Sequence, residues 1–380
     1  MAANTSVGSI KKYFRGLKDP RVTGRSRHLL IDIITIAICG VIGNCDDWRD
    51  IQLFAQQREP WFKRFLRLPN GIPSHHTFDR VFARLDPRAF SRSCVEWLRA
   101  ASDLVGLNHI AIDGKTLRGS AAAPLRPLHV VSAWATQAQL SLGQVAVDGK
   151  SNEIAAIPQL LELLDLKGAL VTIDAIGCQK AIAEKIVAKG GDYVLVVKGN
   201  QERLLADIQE TVGKALDGEF AKHQVATIRT REEGHGRQEE RIYTVITNLE
   251  SIRDRAAWAE LKVVGLCSRT RIVNEKETLE AHYFIGSRRM GARRYAEALR
   301  NHWGIENNLH WQLDVSFGED ASRIEDRNAA ENFGVLRKLA LGLLKRNPEE
   351  LSIARKRKKA ALNPAFLAET LTAAANVEKV

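Results

Sequence analysis

The sequence predicts an α+β protein with an α/β-like core: a mixed five-stranded sheet flanked by helices, a helical N-terminal domain and a β-rich insertion. Apolar residues follow a helical period over the first hundred residues. Three consecutive strand-like runs then precede an alternation of strands and helices, and a second strand-rich stretch comes later. We therefore divide the chain into a helical N-terminal domain (1–100), a core in two parts (105–215 and 287–347), an insertion between those parts (216–286) and a basic tail (348–380).

Composition indicates a basic, globular protein. The 380 residues are 45% hydrophobic and 27% charged, and the formal net charge is +11. Such a surplus favours a polyanionic partner, nucleic acid first and an anionic membrane second. The simpler alternative is a soluble protein that happens to be basic.

Cysteine usage and hydropathy favour a cytoplasmic location. None of the five cysteines forms a Cys-x-x-Cys pair, which is typical of reduced thiols. The first 14 residues lack the apolar region of a signal peptide. The apolar run at 29–43 is too short to span a bilayer and contains Asp32, so we expect a buried helix.

The N-terminal region predicts several short helices. Trp48, Ile51, Phe54 and Ala55 share one helical face, and the turn NGIPS at 70–74 precedes a further helix. Three aspartates at 46, 47 and 50 resemble a metal cluster, but a capped helix start is the favoured interpretation.

The middle of the chain changes period. Three strands come first, and the next two strands need helical crossovers, which makes them parallel additions to the sheet. We predict strands at 109–113, 128–135, 140–147, 169–174 and 192–199, and helices at 157–166, 179–189 and 201–212.

The last third begins with arginine-rich strands and turns at 216–286 and becomes helical from Arg294 to about Asp314. An apolar helix follows at 331–346. We expect the basic run from Arg355 to Lys359 to be a frayed, solvated segment, with nucleic-acid contact as the alternative.

Three carboxylates stand out. Asp113 and Asp174 end apolar runs on the first and fourth strands, and burying two carboxylates together requires a cation. If these strands are neighbours, both aspartates meet at one edge of the sheet. Glu306 on a late helix is the third candidate. Each residue alone is more often a turn, cap or surface residue, but the joint order of elements is that of ribonuclease-H-like nucleotidyl transferases.

The chain resembles the Asp-Asp-Glu transposases of bacterial insertion sequences, in the group that contains the H-repeat-associated proteins. The similar segments span most of the chain and are specific in combination. They are Asp19-Pro20-Arg21, LPNGIPSHHTFDRVFARLDP (68–87), IAIDGKTLRGS (110–120), TIDAIGCQKAIAEKI (172–186), DYVLVVKGNQ (192–201), EEGHGRQEERIY (232–243) and RNHWGIENNLHWQLDVSFGED (300–320).

The resemblance implies that Asp113, Asp174 and Glu306 are catalytic residues that bind two Mg²⁺ ions, with Mn²⁺ as a possible substitute. Asp113 would bridge both ions, and Asp174 and Glu306 would each hold one. Water would cut the transposon end, and the freed 3′-OH would attack target DNA. The resemblance further implies double-stranded DNA as partner, a homodimer in the DNA complex, a nucleoid-associated location in a bacterium and an N-terminal domain for DNA binding or assembly.

DNA must reach this acidic site, so we expect cationic side chains around it. The related Tyr-x2-Arg-x3-Glu-x6-Lys signature is absent, because its positions hold Leu299, His302 and Leu313. Arg300, His302 or His310 are candidate replacements. The predicted DNA contacts are Lys115, Arg118, Lys198, Arg237, Arg241, Arg300, His302, Arg323 and Arg327.

Four rival interpretations remain at this stage. A phosphate-binding loop at Gly114-Lys115-Thr116 lacks the earlier glycine, since position 109 is His. A zinc site on His302, Glu306 and His310 lacks the usual spacing and any cysteine cluster. The other two are a nuclease of the same fold without strand transfer, and a DNA-binding relic without catalysis.

Overall fold

The computed structural model describes residues 10–22, 24, 26–100, 108–117, 128–147, 153–234 and 237–372. Two compact units divide the chain. The helical unit comprises Met1–Val105, Gly114–Asn152 and Glu306–Val380, and the sheet unit comprises Gly106–Asp113 and Glu153–Ile305. We describe each unit separately.

Helices dominate the helical unit, as the apolar period predicts. Its N-terminal helices are α1 (Leu30–Ile42), α2 (Trp48–Gln57), α3 (Glu59–Phe62), α4 (His75–Arg84) and α5 (Pro87–Ala100). Strands β2 (Leu128–Ala135) and β3 (Leu140–Val147) form an antiparallel pair, as predicted. Its C-terminal helices are α10 (Trp311–Phe317), α11 (Arg327–Arg346), α12 (Ile353–Leu362) and α13 (Pro364–Thr372).

The core of the helical unit forms around α11. The Trp48 ring stacks on Phe82 at 4.8 Å between centroids and meets Phe333 edge-on at 4.7 Å. Buried Asn332 donates through Nδ2 to the carbonyl oxygens of Phe82 (2.7 Å) and Leu85 (2.9 Å). This amide supplies partners for backbone carbonyls at the end of α4, which buried polar groups require.

Two predictions for the N-terminal region are confirmed. Asp47 caps α2, since its carboxylate accepts from the backbone N–H groups of Arg49 and Asp50. The apolar run becomes α1, which is buried from Asp32 onward. Within the described residues, every helix is too short or too polar to cross a membrane.

The expectation of a frayed C-terminal tail is wrong for residues 353–372. The basic run lies in α12, where the Arg357 side chain is 1% exposed. Its guanidinium donates to the carbonyl oxygens of Val41 (3.1 Å) and Cys45 (3.2 Å) and pairs with Asp46 (2.8 Å). A buried guanidinium needs such partners, and they come from the far end of the chain.

Within its described residues, the sheet unit contains seven strands in the order β1 (His109–Leu117), β4 (Leu170–Ile173), β5 (Asp192–Val197), β9 (Lys276–Gly286), β8 (Val263–Val273), β7 (Arg237–Ile246) and β6 (Val225–Gly234). Strands β1 (His109–Leu117), β4 (Leu170–Ile173) and β5 (Asp192–Val197) pair in parallel, and β1 continues beyond Asp113 into the helical unit. The crossovers contain α6 (Glu153–Glu162), α7 (Lys180–Ala188) and, after β5, α8 (Glu202–Leu216). The predicted mixed sheet flanked by helices, together with a helical N-terminal region, is confirmed, and the sheet has more than the five strands predicted for the core.

The insertion extends the sheet by an antiparallel meander. Strands β6 (Val225–Gly234), β7 (Arg237–Ile246), β8 (Val263–Val273) and β9 (Lys276–Gly286) pair in sequence, and β9 pairs with β5. Asn274 and Glu275 both have positive φ (48° and 62°), as the tight turn between β8 and β9 requires. The insertion therefore shares hydrogen bonds with the core.

Helix α9 (Ala292–Ile305) packs closely on this sheet. Tyr295 stacks on Phe284 of β9 at 5.3 Å and donates its hydroxyl to the Arg288 carbonyl oxygen at 2.6 Å. A Cβ at Gly286 would lie 2.3 Å from the Tyr295 hydroxyl oxygen, so only glycine fits there. This contact fixes the helix that leads to Glu306.

Candidate active site

Asp113 and Asp174 occupy equivalent positions on neighbouring strands. Ile112 of β1 is in register with Ile173 of β4, and each aspartate is the next residue. Parallel neighbours lie about 4.8 Å apart, so the two side chains emerge at the same level of the sheet. The condition stated for the sequence, that the first and fourth strands are neighbours, is therefore met. Strand β1 does not end at Asp113, however, but runs to Leu117.

The loop after β4 holds Asp174 in a largely buried position. Burial raises the pKa of Asp174, and the negative charge of Glu153 adds to that effect. Backbone N–H groups of Ile176 and Gly177 and the Lys198 ammonium act in the opposite direction. The loop itself is fixed by Asn200, whose Nδ2 donates to the Ala175 carbonyl oxygen at 2.7 Å.

Glu153 is a carboxylate close to Asp174 that was not among the residues predicted from the sequence. It is the first residue of α6, it is 4% exposed, and its charge acts on Asp174. An acidic residue in the first turn of a helix is usually a surface residue that interacts with the helix dipole. The helix begins four residues earlier than predicted, and no local pattern distinguishes this glutamate from such a residue.

A buried polar chain lies beneath the two aspartates. Thr172 Oγ1 is 2.9 Å from His109 Nε2 and 3.1 Å from His302 Nδ1. Burial lowers the pKa of both imidazoles to about 4, with His302 adding to the effect on His109. The three side chains thus form a neutral chain that joins β1, β4 and α9.

These three polar side chains hold helix α9, which ends one residue before Glu306. His302 precedes Glu306 by four residues, about 6 Å along a helix axis. Glu306 itself is exposed and opens a short π-helix, Glu306–His310, that continues directly from α9. Such π-helical turns are frequent at functional sites. The contact at Thr172 therefore fixes the last turn of α9 within the sheet unit.

Lys115 lies in a partly buried ion-pair cluster of the helical unit. Its ammonium pairs with Asp314, with Glu319 (2.8 Å) and with Asp320 (3.7 Å). The Lys115 side chain is 12% exposed and that of Glu319 is 2% exposed. Burial opposes the charged form, but Glu319 and Asp314 raise the pKa of Lys115 above its ordinary value. The cluster ties the residue two positions after Asp113 to the segment that follows Glu306.

His310, the last residue of the π-helix, is also buried. Burial lowers the pKa of its imidazole to about 3, and the positive charges of Lys338 and Lys115 add to the effect. Lys338 donates to Ser132 Oγ (2.8 Å) and Gln144 Oε1 (2.5 Å) of the β2–β3 pair. Burial lowers the pKa of Lys338 to about 8. His310 is therefore a neutral interior group.

The remaining predicted DNA contacts differ in accessibility. Lys198 and Arg323 are exposed, and Arg327 is half-buried at the start of α11. Arg300 is half-exposed and pairs with Glu232 at 2.6 Å. Arg241 is 2% exposed and pairs with Glu239 and Glu232. Arg118 and the Arg237 side chain lie outside the described residues.

Burial also places His302 away from any surface that a phosphate could reach, since it is 4% exposed and its Nδ1 is taken by Thr172. The sequence Gly114-Lys115-Thr116 lies inside β1. A phosphate-binding loop would instead precede a helix, so the nucleotide-binding alternative has no structural support.

Asp113 and Asp174 offer the ligands of a hard divalent cation. Carboxylate oxygens are what Mg²⁺ and Mn²⁺ prefer. Burial, with the negative charge of Glu153, raises the pKa of Asp174, and a bound cation would favour its ionised form. The donor set therefore fits a divalent metal.

Comparisons with known proteins find similarity over most of the chain. The Transposase DDE domain family matches residues 106–343, and the DDE_Tnp_1-associated family matches residues 11–98. The chain is 40% identical over 374 residues to "Putative transposase YncI" of Escherichia coli O157:H7, covering 96% of this chain and 95% of that protein. It is 39% identical over 363 residues to "H repeat-associated putative transposase YhhI" of Escherichia coli strain K12, covering 93% and 95%. A solved piggyBac transposase synaptic complex with hairpin DNA aligns over 94% of this chain and 76% of that chain, with 10% identity and a TM-score of 0.41.

Proposed function

The chain belongs to the family of transposases with a DDE domain, and from this premise we propose that it cuts the ends of an insertion sequence and joins them to target DNA. One observation carries the proposal. Asp113 and Asp174 follow register-matched residues on neighbouring parallel strands, so two carboxylates emerge together at the sheet edge. Family membership implies use of a divalent metal, and these ligands suit one.

We assign Asp113, Asp174 and Glu306 as the ligands of Mg²⁺ or Mn²⁺. When bound, such ions stabilise the attacking and leaving oxygens of an in-line displacement at phosphorus. The chain's own contribution is to position these ligands. The loop held by Asn200 fixes Asp174, and the His109–Thr172–His302 chain fixes the helix that leads to Glu306.

The reaction consists of two displacements. In the first, a water oxygen bonds to phosphorus at the transposon end, and the phosphorus–oxygen bond breaks to leave a 3′-OH. In the second, that 3′ oxygen bonds to a phosphorus of target DNA and displaces the target's own 3′ oxygen. Both steps act on duplex DNA. Because two ends must be joined, we propose that two copies of the chain act together in the DNA complex.

The direct test is cleavage of labelled end-sequence DNA with Mg²⁺ or Mn²⁺. Asp113→Asn, Asp174→Asn and Glu306→Gln should each lower the rate by on the order of 1,000-fold, since each removes a ligand whose effect is several kcal/mol. Glu297→Gln, an exposed glutamate on α9, is the matched control and should cleave like the wild type. Full activity in any one ligand variant would remove that residue from the assignment.

Metal binding and product analysis separate the remaining functions. Isothermal titration with Mn²⁺ should show weaker binding in the same three variants, even without DNA. A plasmid assay for joined products distinguishes a transposase from a nuclease that only cuts. If DNA binds but no cleavage occurs with any divalent metal, the protein is a DNA-binding relic.

A further inference from the structure

A basic cleft lies in the helical unit, and its lining residues include none of the predicted metal ligands or DNA contacts. Its volume is about 620 Å³, and it lies between the segment that starts at Arg21 and helix α4. Four arginines and a histidine line it, together with three hydroxyl side chains: Arg21, Arg27, Arg80, Arg84, His28, Ser26, Ser74 and Thr77.

Three of these arginines present unneutralised charge. Arg27, Arg80 and Arg84 are exposed, and among the described residues no carboxylate forms an ion pair with any of them. Arg21 differs, because Asp19 pairs with its guanidinium at 2.7 Å. Lys115, Arg241 and Arg357 differ from these arginines because each of them pairs with a carboxylate. Those three cations are buried and require a counter-charge, whereas the cleft leaves three guanidinium groups open to an external anion.

The backbone fixes these cations in place. Asn70 Nδ2 donates to the Arg27 carbonyl oxygen at 2.5 Å, which ties the first segment to the turn before α4. Arg80 and Arg84 are one helical turn apart and share a face of α4. The Arg80 Nε donates to the His76 carbonyl oxygen at 3.2 Å. The two guanidinium groups therefore form a row along the cleft.

Helix α4 adds further groups that favour an anion. Ser74 is its N-cap and makes no side-chain capping bond, and Ser74 Oγ lies 3.2 Å from Thr77 Oγ1 at the lining. Hydroxyls and the positive end of a helix dipole both favour phosphate oxygens. Together with the arginines they provide positive charge and hydrogen-bond donors in one cleft.

We infer that this cleft binds the sugar–phosphate backbone of duplex DNA. The choice of duplex DNA rests on the proposed function, whereas the phosphate chemistry rests on the cleft itself. Arginine is the side chain best suited to phosphate, because its planar guanidinium can form two parallel hydrogen bonds. Contacts of this kind position a duplex and are independent of its sequence. The cleft would thus hold DNA that enters through the N-terminal region.

The test measures affinity against salt. Wild-type protein and the triple variant Arg27→Ala/Arg80→Ala/Arg84→Ala are titrated into a fluorescent 30-base-pair duplex in EDTA, so that no cleavage occurs. Anisotropy is followed from 0.05 to 0.3 M salt. The control Arg49→Ala/Arg64→Ala/Arg92→Ala removes three exposed arginines of the same unit that do not line the cleft.

Each lost phosphate contact should reduce the slope of log K against log salt by about 0.9. Three contacts give a reduction of about 2.7 and, at 0.15 M salt, an affinity on the order of 100-fold lower. The control should keep the wild-type slope. Circular dichroism should show that both triple variants unfold at the wild-type temperature, because all six side chains are exposed.

Two results would overturn the inference. One is that the cleft variant and the control lose affinity equally, which would mean that only overall charge matters. The other is that the wild-type protein itself shows no salt-dependent binding to the duplex. The outcome is independent of the cleavage assay, because a protein that binds through the cleft but never cuts would support the cleft and contradict the proposed function. If the wild-type protein cleaves end DNA normally and the cleft variant keeps the wild-type salt slope, the proposed function is supported and the cleft inference is contradicted.

Discussion

Replacing Lys115 by methionine should destabilise the helical unit. Methionine has a similar length but removes the cation that pairs with Glu319 at 2.8 Å. Glu319 is 2% exposed, and its Oε1 has no hydrogen-bond partner among the described atoms. Removing one partner of a buried ion pair costs about 3–5 kcal/mol, because the other charge stays buried.

The lower end of that range applies to this site. Arg337 and Lys338 also act on Glu319 and would still compensate part of its charge. We therefore expect a loss of about 3 kcal/mol, which lowers the folded-to-unfolded ratio on the order of 100-fold. The double variant Lys115→Met/Glu319→Gln should recover part of that loss, since it leaves no uncompensated carboxylate.

The assay is urea unfolding followed by circular dichroism, and the chain contains a matched control. Lys63 pairs with Glu59 at the same 2.8 Å, but these side chains are 59% and 33% exposed. Lys63→Met should cost less than about 1 kcal/mol, as exposed pairs do. Burial, and not distance, then accounts for the difference between the two variants.

The effect should also depend on pH in a defined direction. Lys115 and the other cations hold the pKa of Glu319 below its ordinary value of 4.5 despite burial, which acts the other way. A carboxylate with a lowered pKa stabilises the fold above its unfolded pKa and loses this effect as pH falls through the folded value. The difference between wild type and Lys115→Met should therefore be full at pH 7 and shrink below pH 4.5.

A measurement of DNA binding by Lys115→Met can contradict this prediction. Lys115 is also a predicted phosphate contact. If that were its role, Lys115→Met would reduce the slope of log K against log salt for DNA binding by about 0.9 without affecting stability. Unfolding of Lys115→Met at the wild-type urea concentration, together with such a slope change, would refute the ion-pair argument.

Three further predictions concern other buried groups. Thr172→Val should cost about 1–3 kcal/mol in urea unfolding and slow end cleavage, because it leaves two imidazoles without their shared hydroxyl, and Thr172→Ser should restore both. Arg357→Met should cost about 3–5 kcal/mol, whereas Arg355→Met, an exposed change on the same helix, should cost less than about 0.5. All five thiols are buried and their pKa values are raised by burial, so native protein should resist Ellman's reagent for hours while unfolded protein reacts at five sites.

The sequence was sufficient to predict the elements that position the aspartates. Alternating and continuous apolar runs are local signals, and Asp113 and Asp174 interrupt two of them. Adjacency of their strands was only a condition at the level of the sequence, because β2 and β3 lie between β1 and β4 along the chain. The register that places Ile112 beside Ile173 meets that condition.

Partners of buried cations could not be predicted in this way. Glu319 lies 204 positions after Lys115, and Val41 lies 316 positions before Arg357. Neither pair leaves a local pattern, since each depends on how distant helices pack. The buried His109–Thr172–His302 chain is similar, with 130 positions between its second and third members. Glu153 was missed for a different reason, because its position in a first helical turn has a simpler explanation.

These pairings change where the positive charge of the protein can act. The sequence identified cationic residues by their proximity in the chain to the aspartates, yet Lys115 and Arg241 are neutralised internally and His302 is buried and uncharged. A cation that already has a carboxylate partner gains little from phosphate, since binding would have to break the existing pair. The gain is largest for exposed cations that form no ion pair within the described residues, such as Arg27, Arg80 and Arg84. Accessibility and pairing, more than the net charge of +11 or position along the chain, therefore determine which surfaces of each unit can hold DNA.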